Sequence, residues 1–173
     1  MTGQGAVRPG PDLAAGAAKS SANSGRRSAS RLAAVQVLYQ IELGGGDSTR
    51  VIADFLGHHQ GAALDGQGLA PADSDFFQTL AQGVSDRLPE VDQVLSNALS
   101  NQSVGRLDAT LRALLRAGTF ELMAVKDVPA RASIDEYLNL AHAFFSGSEP
   151  KLVNGVLDHV ARDLRPNELI PKT

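Results

Sequence analysis

Apolar positions recur at helical spacing from about Ser30 to the far end of the chain, and no segment of useful length alternates with period two. Leu32, Val35, Leu38, Tyr39, Ile41 and Leu43 cover most of a first helix, which marks it as largely buried. Ser28 or Ser30 can cap it, and Gly44-Gly45-Gly46 stops it. Asp47 or Ser48 opens a second helix, with Val51, Ile52, Phe55 and Leu56 inward. Residues 57–72 hold four glycines and a proline and read as a loop. Asp73 or Ser74 opens a third helix, with Phe76, Phe77, Leu80 and Val84 inward. Pro89 fits the first turn of the next stretch, Glu90 to Leu99, which is a new helix or a kinked continuation.

Asp108 precedes the strongest helix, with Leu111, Leu114, Leu115, Phe120, Leu122 and Met123; Val128-Pro129 ends it. Ser133 is placed to cap the next, with Asp135 and Glu136 in its first turn and Ile134, Leu138, Leu140, Ala141, Phe144 and Phe145 on its apolar side. Glu149-Pro150 starts the last, with Leu152, Val153, Val156, Leu157 and Val160 inward, and Arg165-Pro166 ends it. The expectation is an all-α fold of six or seven helices.

Residues 1–25 are Gly, Ala, Ser and Pro with scattered charge. Such a stretch buries too little apolar surface to offset ordering, so 1–25 is expected to be a disordered tail and 26–168 the folded domain. Charge is uneven. Residues 1–40 hold five basic residues (Arg8, Lys19, Arg26, Arg27, Arg31) and one acid (Asp12), or +4; the total of −3 then leaves −7 for the rest. A basic arm on an acidic body points to a polyanion met by the arm, or to a solvated tail with incidental arginines. There is no cysteine, no run near the roughly 20 apolar residues that cross a bilayer, and no secretory signal pattern. A cytoplasmic protein without membrane contact is expected.

Catalytic and metal chemistry find little support. His58, His59, His142 and His159 form no ligand pair at i, i+4. The triple glycine lacks a following Gly-Lys-Ser/Thr, and the paired carboxylates Asp73/Asp75 and Asp135/Glu136 sit at helix starts, where capping explains them. The expectation is no enzyme, no cofactor and no metal.

Three polar features remain. Arg26, Arg27 and Arg31 stand at the mouth of the first helix, where guanidinium groups can grip phosphates, and Tyr39 beyond them offers either a ring for an unstacked base or a core aromatic. In the last helix Lys151, Asn154, Asp158 and Arg162 step by 3, 4 and 4 into a polar stripe, beside a Gly155 that wants a packing or ligand reason. Asp108, Arg112 and Arg116 step by four, which fits intrahelical ion pairs or a face for a protein partner.

The segments "RSASRLAAVQVLYQIEL", "LRALLRAGTFEL", "VPARASIDEYLNLAHAF" and "KLVNGVLDHVA", in this order, resemble the NusB family of transcription antitermination proteins across about Arg26 to Pro166. The resemblance implies two small helical bundles packed across each other and no catalytic activity. It implies binding of the boxA element of ribosomal RNA operons together with NusE, a small-subunit ribosomal protein, and loading of an antitermination complex on RNA polymerase. It assigns the RNA surface to Arg26, Arg27, Arg31, Tyr39, Lys151 and Asn154, and nominates Asp108, Arg112 and Arg116 for the NusE side.

Two departures stand out. Ser28, Ala29 and Ser30 interrupt the basic motif, which implies weak RNA affinity without the partner, and Leu152 replaces an aromatic. The free protein is a monomer or a self-pair. Two other readings are a domain like the N-terminal part of certain RNA cytosine methyltransferases, which needs a downstream catalytic domain not seen through Thr173, and a protein–protein adaptor without an RNA role.

Overall fold

The computed structural model describes the backbone of residues 11–62 and 73–170, and the side chains of 23–58 and 73–170. Eight helices and no strand lie among the described residues: α1 Pro11–Gly44, α2 Ser48–Ala62, α3 Ser74–Asp86, α4 Leu88–Ala98, α5 Ala109–Ala124, α6 Ala130–Phe144, α7 Glu149–Leu164 and a single turn, α8 Pro166–Leu169. A short 3-10 turn, Val104–Arg106, leads into α5. The α1, α2 and α3 helices pack together as one group, and α4 to α8 form the other. The α5 helix joins them, lying against α1 and α3 on one side and α4, α6 and α7 on the other.

The apolar periodicity explains this arrangement. Phe76, Phe77, Leu80 and Val84 of α3, Leu114, Leu115 and Leu122 of α5, and Val153, Val156, Leu157 and Val160 of α7 are all buried in one continuous core. The Asp73 side chain accepts from the Phe76 N–H (3.1 Å) and starts α3. Asp108 does the same for Thr110 (2.9 Å) and Leu111 (3.2 Å) of α5. Gly45, at φ +60°, turns the chain out of α1. Two glycines mark close crossings. A Cβ at Gly83 would stand 2.1 Å from the Phe120 ring, which sets how near α3 approaches α5, and one at Gly118 would stand 3.0 Å from Leu157.

Several expectations need revision. The first helix begins at Pro11, inside the stretch expected to be disordered. That stretch is alanine-rich, with a proline at the position where a missing N–H is harmless, so helical propensity carries it where hydrophobic patterning is silent. Ser28 and Ser30 are therefore interior and bond the carbonyls of Ser24 and Arg26 one turn back. The α2 helix runs through Gly57 and Gly61 to Ala62, because isolated glycines weaken a helix without ending it; residues 63–72 of the expected loop lie outside the described residues. Arg87, at φ −117° and ψ 27°, leaves the helical conformation, so α3 and α4 are two helices. Pro129, not Ser133, caps α6. Leu43 and Phe144 face solvent rather than the core.

Arg165 closes the second group. Buried at the end of α7, it donates to the carbonyls of Leu122 (2.9 Å), Val128 (2.8 Å) and Val125 just where α5 ends, satisfying carbonyls the helix leaves open. Glu168 of α8 accepts from the first N–H of α6, that of Ala130 (2.8 Å).

Candidate nucleic-acid interface

The α1 helix continues back through all three arginines, so Arg27 and Arg31 share an edge, and both guanidinium carbons lie near the Phe76 ring, at 4.8 and 5.0 Å. From there their surroundings diverge. Arg31 is 3% exposed. Its Nε donates to both oxygens of Glu121 (3.2 and 3.0 Å) and its Nη2 donates to Oε1 (2.7 Å). Glu121, fully buried on α5, also accepts from the hydroxyls of Ser133 (2.8 Å) and Tyr137 (2.8 Å) on α6.

This carboxylate is saturated by one guanidinium and two hydroxyls, the condition under which a buried charge is tolerable. Burial opposes the Arg31 charge, but its hydrogen bonds to Glu121 and that group's charge, with smaller contributions from Tyr137 and Glu136, hold its pKa above the ordinary arginine value. Burial, then the charge of Glu121, pushes the Tyr137 hydroxyl well above the tyrosine range. Arg31 thus ties α1 to α5 and α6, and of its guanidinium only Nη1, 3.8 Å from Glu136, makes no hydrogen bond, so little of it is offered to a phosphate.

Arg27 is the half-exposed member. Its Nη2 donates to Asp127 (3.2 Å), in the link between α5 and α6, while its Nε is enclosed without an acceptor. Arg26 is exposed, and its guanidinium meets no acceptor among the described residues. The helix backbone there is pinned to the start of α3, since the Arg26 carbonyl accepts from the Asp73 N–H (3.4 Å) and the Ser30 hydroxyl donates to the Asp73 carbonyl (2.8 Å). A cleft of about 350 Å³ opens beside Arg27, lined also by Asp73, Asp75, Phe76, Thr79 and Asp127.

Tyr39 is 37% exposed and lies on the outward line of α1 with Gln36, Gln40 and Leu43, so it is not a core aromatic. Lys151 and Asn154 are exposed one turn apart on α7. The α7 helix packs on α4, α5, α6 and α8, and no hydrogen bond or ion pair among the described residues links Lys151 or Asn154 to the arginines of α1. The rest of the stripe is occupied: Asp158 accepts from Arg162 (2.7 Å) and lies 3.8 Å from Arg131. Gly155 has nothing within 4 Å of a built Cβ, so packing does not explain it.

The Asp108, Arg112 and Arg116 row does not form intrahelical pairs. Asp108 caps α5. Arg112 donates to the Leu107 carbonyl (2.7 Å) and pairs with Glu42 of α1. Its hydrogen bond to Glu42 raises the Arg112 pKa, burial opposing. Arg116 holds Asp92 of α4 through two bonds (2.8 and 2.9 Å) and reaches Glu42 at 3.3 Å. Both guanidinium groups knit α1, α4 and α5 together, which leaves Asp108 as the exposed member.

A family model described as the NusB family matches residues 28–162. The chain belongs to the NusB family. Transcription antitermination protein NusB of Maricaulis maris is 48% identical over 143 residues, covering 82% of this chain and 89% of that protein. The protein of the same name from Rhizobium rhizogenes is 45% identical over 141 residues, covering 81% and 88%. A solved T. maritima NusB structure superposes with a TM-score of 0.68 at 26% identity, covering 82% of this chain and 95% of that one. A chain in the crystal structure of a plectonemic RNA supercoil shares the fold, with a TM-score of 0.66 at 22% identity, covering 80% and 95%.

The relatives matched, covered over 89% and 88% of their own length, are named as antitermination proteins, a non-enzymatic family. Among the described residues no helix is long and apolar enough to cross a membrane, and no three His, Asp or Glu side chains gather as a metal site. Sequence reasoning missed Glu121, Tyr137 and Asp127, and read Phe76 only as core. Glu121 alone carried a signal, as a carboxylate inside the apolar run of α5.

Proposed function

We propose that this chain is a transcription antitermination factor of the cytoplasm that binds boxA RNA of ribosomal RNA operons together with NusE and helps load the antitermination complex on RNA polymerase. The observation that carries it is the 48% identity, over nearly all of the folded chain, to a protein named for transcription antitermination. The geometry supports the RNA part in one place above all. Arg26 and Arg27 lie midway along α1 with their side chains at least partly open to solvent, and the exposed Tyr39 ring stands three turns further along the same helix, which together offer cations and a stacking face of the kinds single-stranded RNA takes. Lys151 and Asn154 extend the RNA surface onto α7, and Asp108 contributes to the NusE side.

A fluorescein-labelled boxA RNA titrated with this protein, with and without NusE, tests the proposal by anisotropy. Binding that weakens with salt and tightens when NusE is added is expected. A protein that captures NusE but leaves the RNA free at every salt concentration is an adaptor, and overturns the proposal.

A further inference from the structure

We infer that Asp127 is an internal competitor for RNA: in the free protein its carboxylate occupies Arg27, and a phosphate must displace it. The inference rests on the function proposed above and concerns the same surface. Two arginines one turn apart lie over one aromatic ring, yet their carboxylate partners differ in kind. Glu121 is fully buried and holds Arg31 through bonds of 2.7 to 3.2 Å, so it cannot be exchanged. Asp127 touches Arg27 at one nitrogen, at 3.2 Å, longer than a strong charge-assisted bond. Its side chain is 67% exposed in the α5–α6 link, and that of Arg27 is 27% exposed.

A single-point pair in water is weak, whereas a phosphate can engage a guanidinium through two parallel bonds. Phe76 keeps the Arg27 head in place whichever anion it holds. Exchange of carboxylate for phosphate is therefore favourable and local, and Asp127 sets how much affinity is given up to it.

The test is a double-mutant cycle on the full chain with NusE, reading anisotropy of a fluorescein-labelled single-stranded RNA carrying boxA across a salt series. Asp127→Asn is expected to tighten binding by about two- to fivefold, the range an exposed ion pair spans. In the Arg27→Ala background the same change should do nothing. Asp75→Asn, which removes an equal charge from the same cleft, should give a smaller gain. A gain of equal size in Arg27→Ala, or in Asp75→Asn, shows general charge reduction and overturns the inference, as does weaker binding by Asp127→Asn. Absence of RNA binding by both the unsubstituted protein and Asp127→Asn overturns the functional proposal along with it, whereas binding with zero coupling overturns this inference alone.

Discussion

Arg31 of α1 and Glu121 of α5 stand 90 residues apart in the chain and form a pair buried on both sides, with Nη2 to Oε1 at 2.7 Å. Each charge is tolerable because the other is there. Glu121→Ala leaves a buried guanidinium uncompensated and is expected to lower stability by about 3–5 kcal/mol, read from urea unfolding. Glu121→Gln should be less damaging when Arg31 is already methionine than when it is present. Additive losses in that cycle would show that the two side chains do not depend on each other.

Alkaline pH reports on the same cluster. The Tyr137 hydroxyl is buried against Glu121 and keeps its proton far above the tyrosine range in the folded protein. In the unfolded chain it is released near pH 10, at about the reference value. Above that pH the unfolded state binds fewer protons than the folded one, so the unfolding free energy falls as pH rises. 

The stabilisation from the buried hydroxyl is complete below about pH 10 and is lost progressively towards the folded-state pKa of Tyr137. Urea midpoints measured from pH 8 to 11 should fall more steeply for the unsubstituted protein than for Tyr137→Phe. Parallel curves would refute the assignment.

Two glycines should respond in opposite directions. Gly83→Ala drives a methyl into the Phe120 ring, and the α3–α5 crossing has to open. A loss of about 1–3 kcal/mol is expected, as for other overpacked sites. Gly155→Ala adds a methyl to open space on an exposed helix and should gain about 1 kcal/mol. Thermal melts of the two variants decide the matter; a stabilised Gly83→Ala would mean that the helices are not held so close.

The helices were legible because burial on one face imposes a 3.6-residue period, and the start of α3 was legible as Asp73 or Ser74; Asp108 reads in the sequence as a member of the Arg112–Arg116 row, whereas it caps α5. The helical course of 11–25 was not, since it rests on alanine propensity without an apolar face. The arginine site was half legible. Spacing says that Arg27 and Arg31 share an edge, but which of them turns inward depends on Glu121, Ser133 and Tyr137, which no local pattern brings to α1. Arg112 and Arg116 went the same way. Their i, i+4 spacing is real, but stronger acceptors, Glu42 and Asp92, wait on other helices.

The division of labour among the arginines is tested most directly by the salt dependence of boxA RNA binding, with NusE present, for the unsubstituted protein and for an Arg26→Ala/Arg27→Ala variant whose fold is confirmed by circular dichroism. The expected result is weaker binding with a log–log slope shallower by about 0.7 for each phosphate no longer neutralised, roughly 1.4 for the two arginines together. An unchanged affinity and slope would place the RNA elsewhere and contradict the assignment of the Arg26–Arg27 edge of α1 as its site.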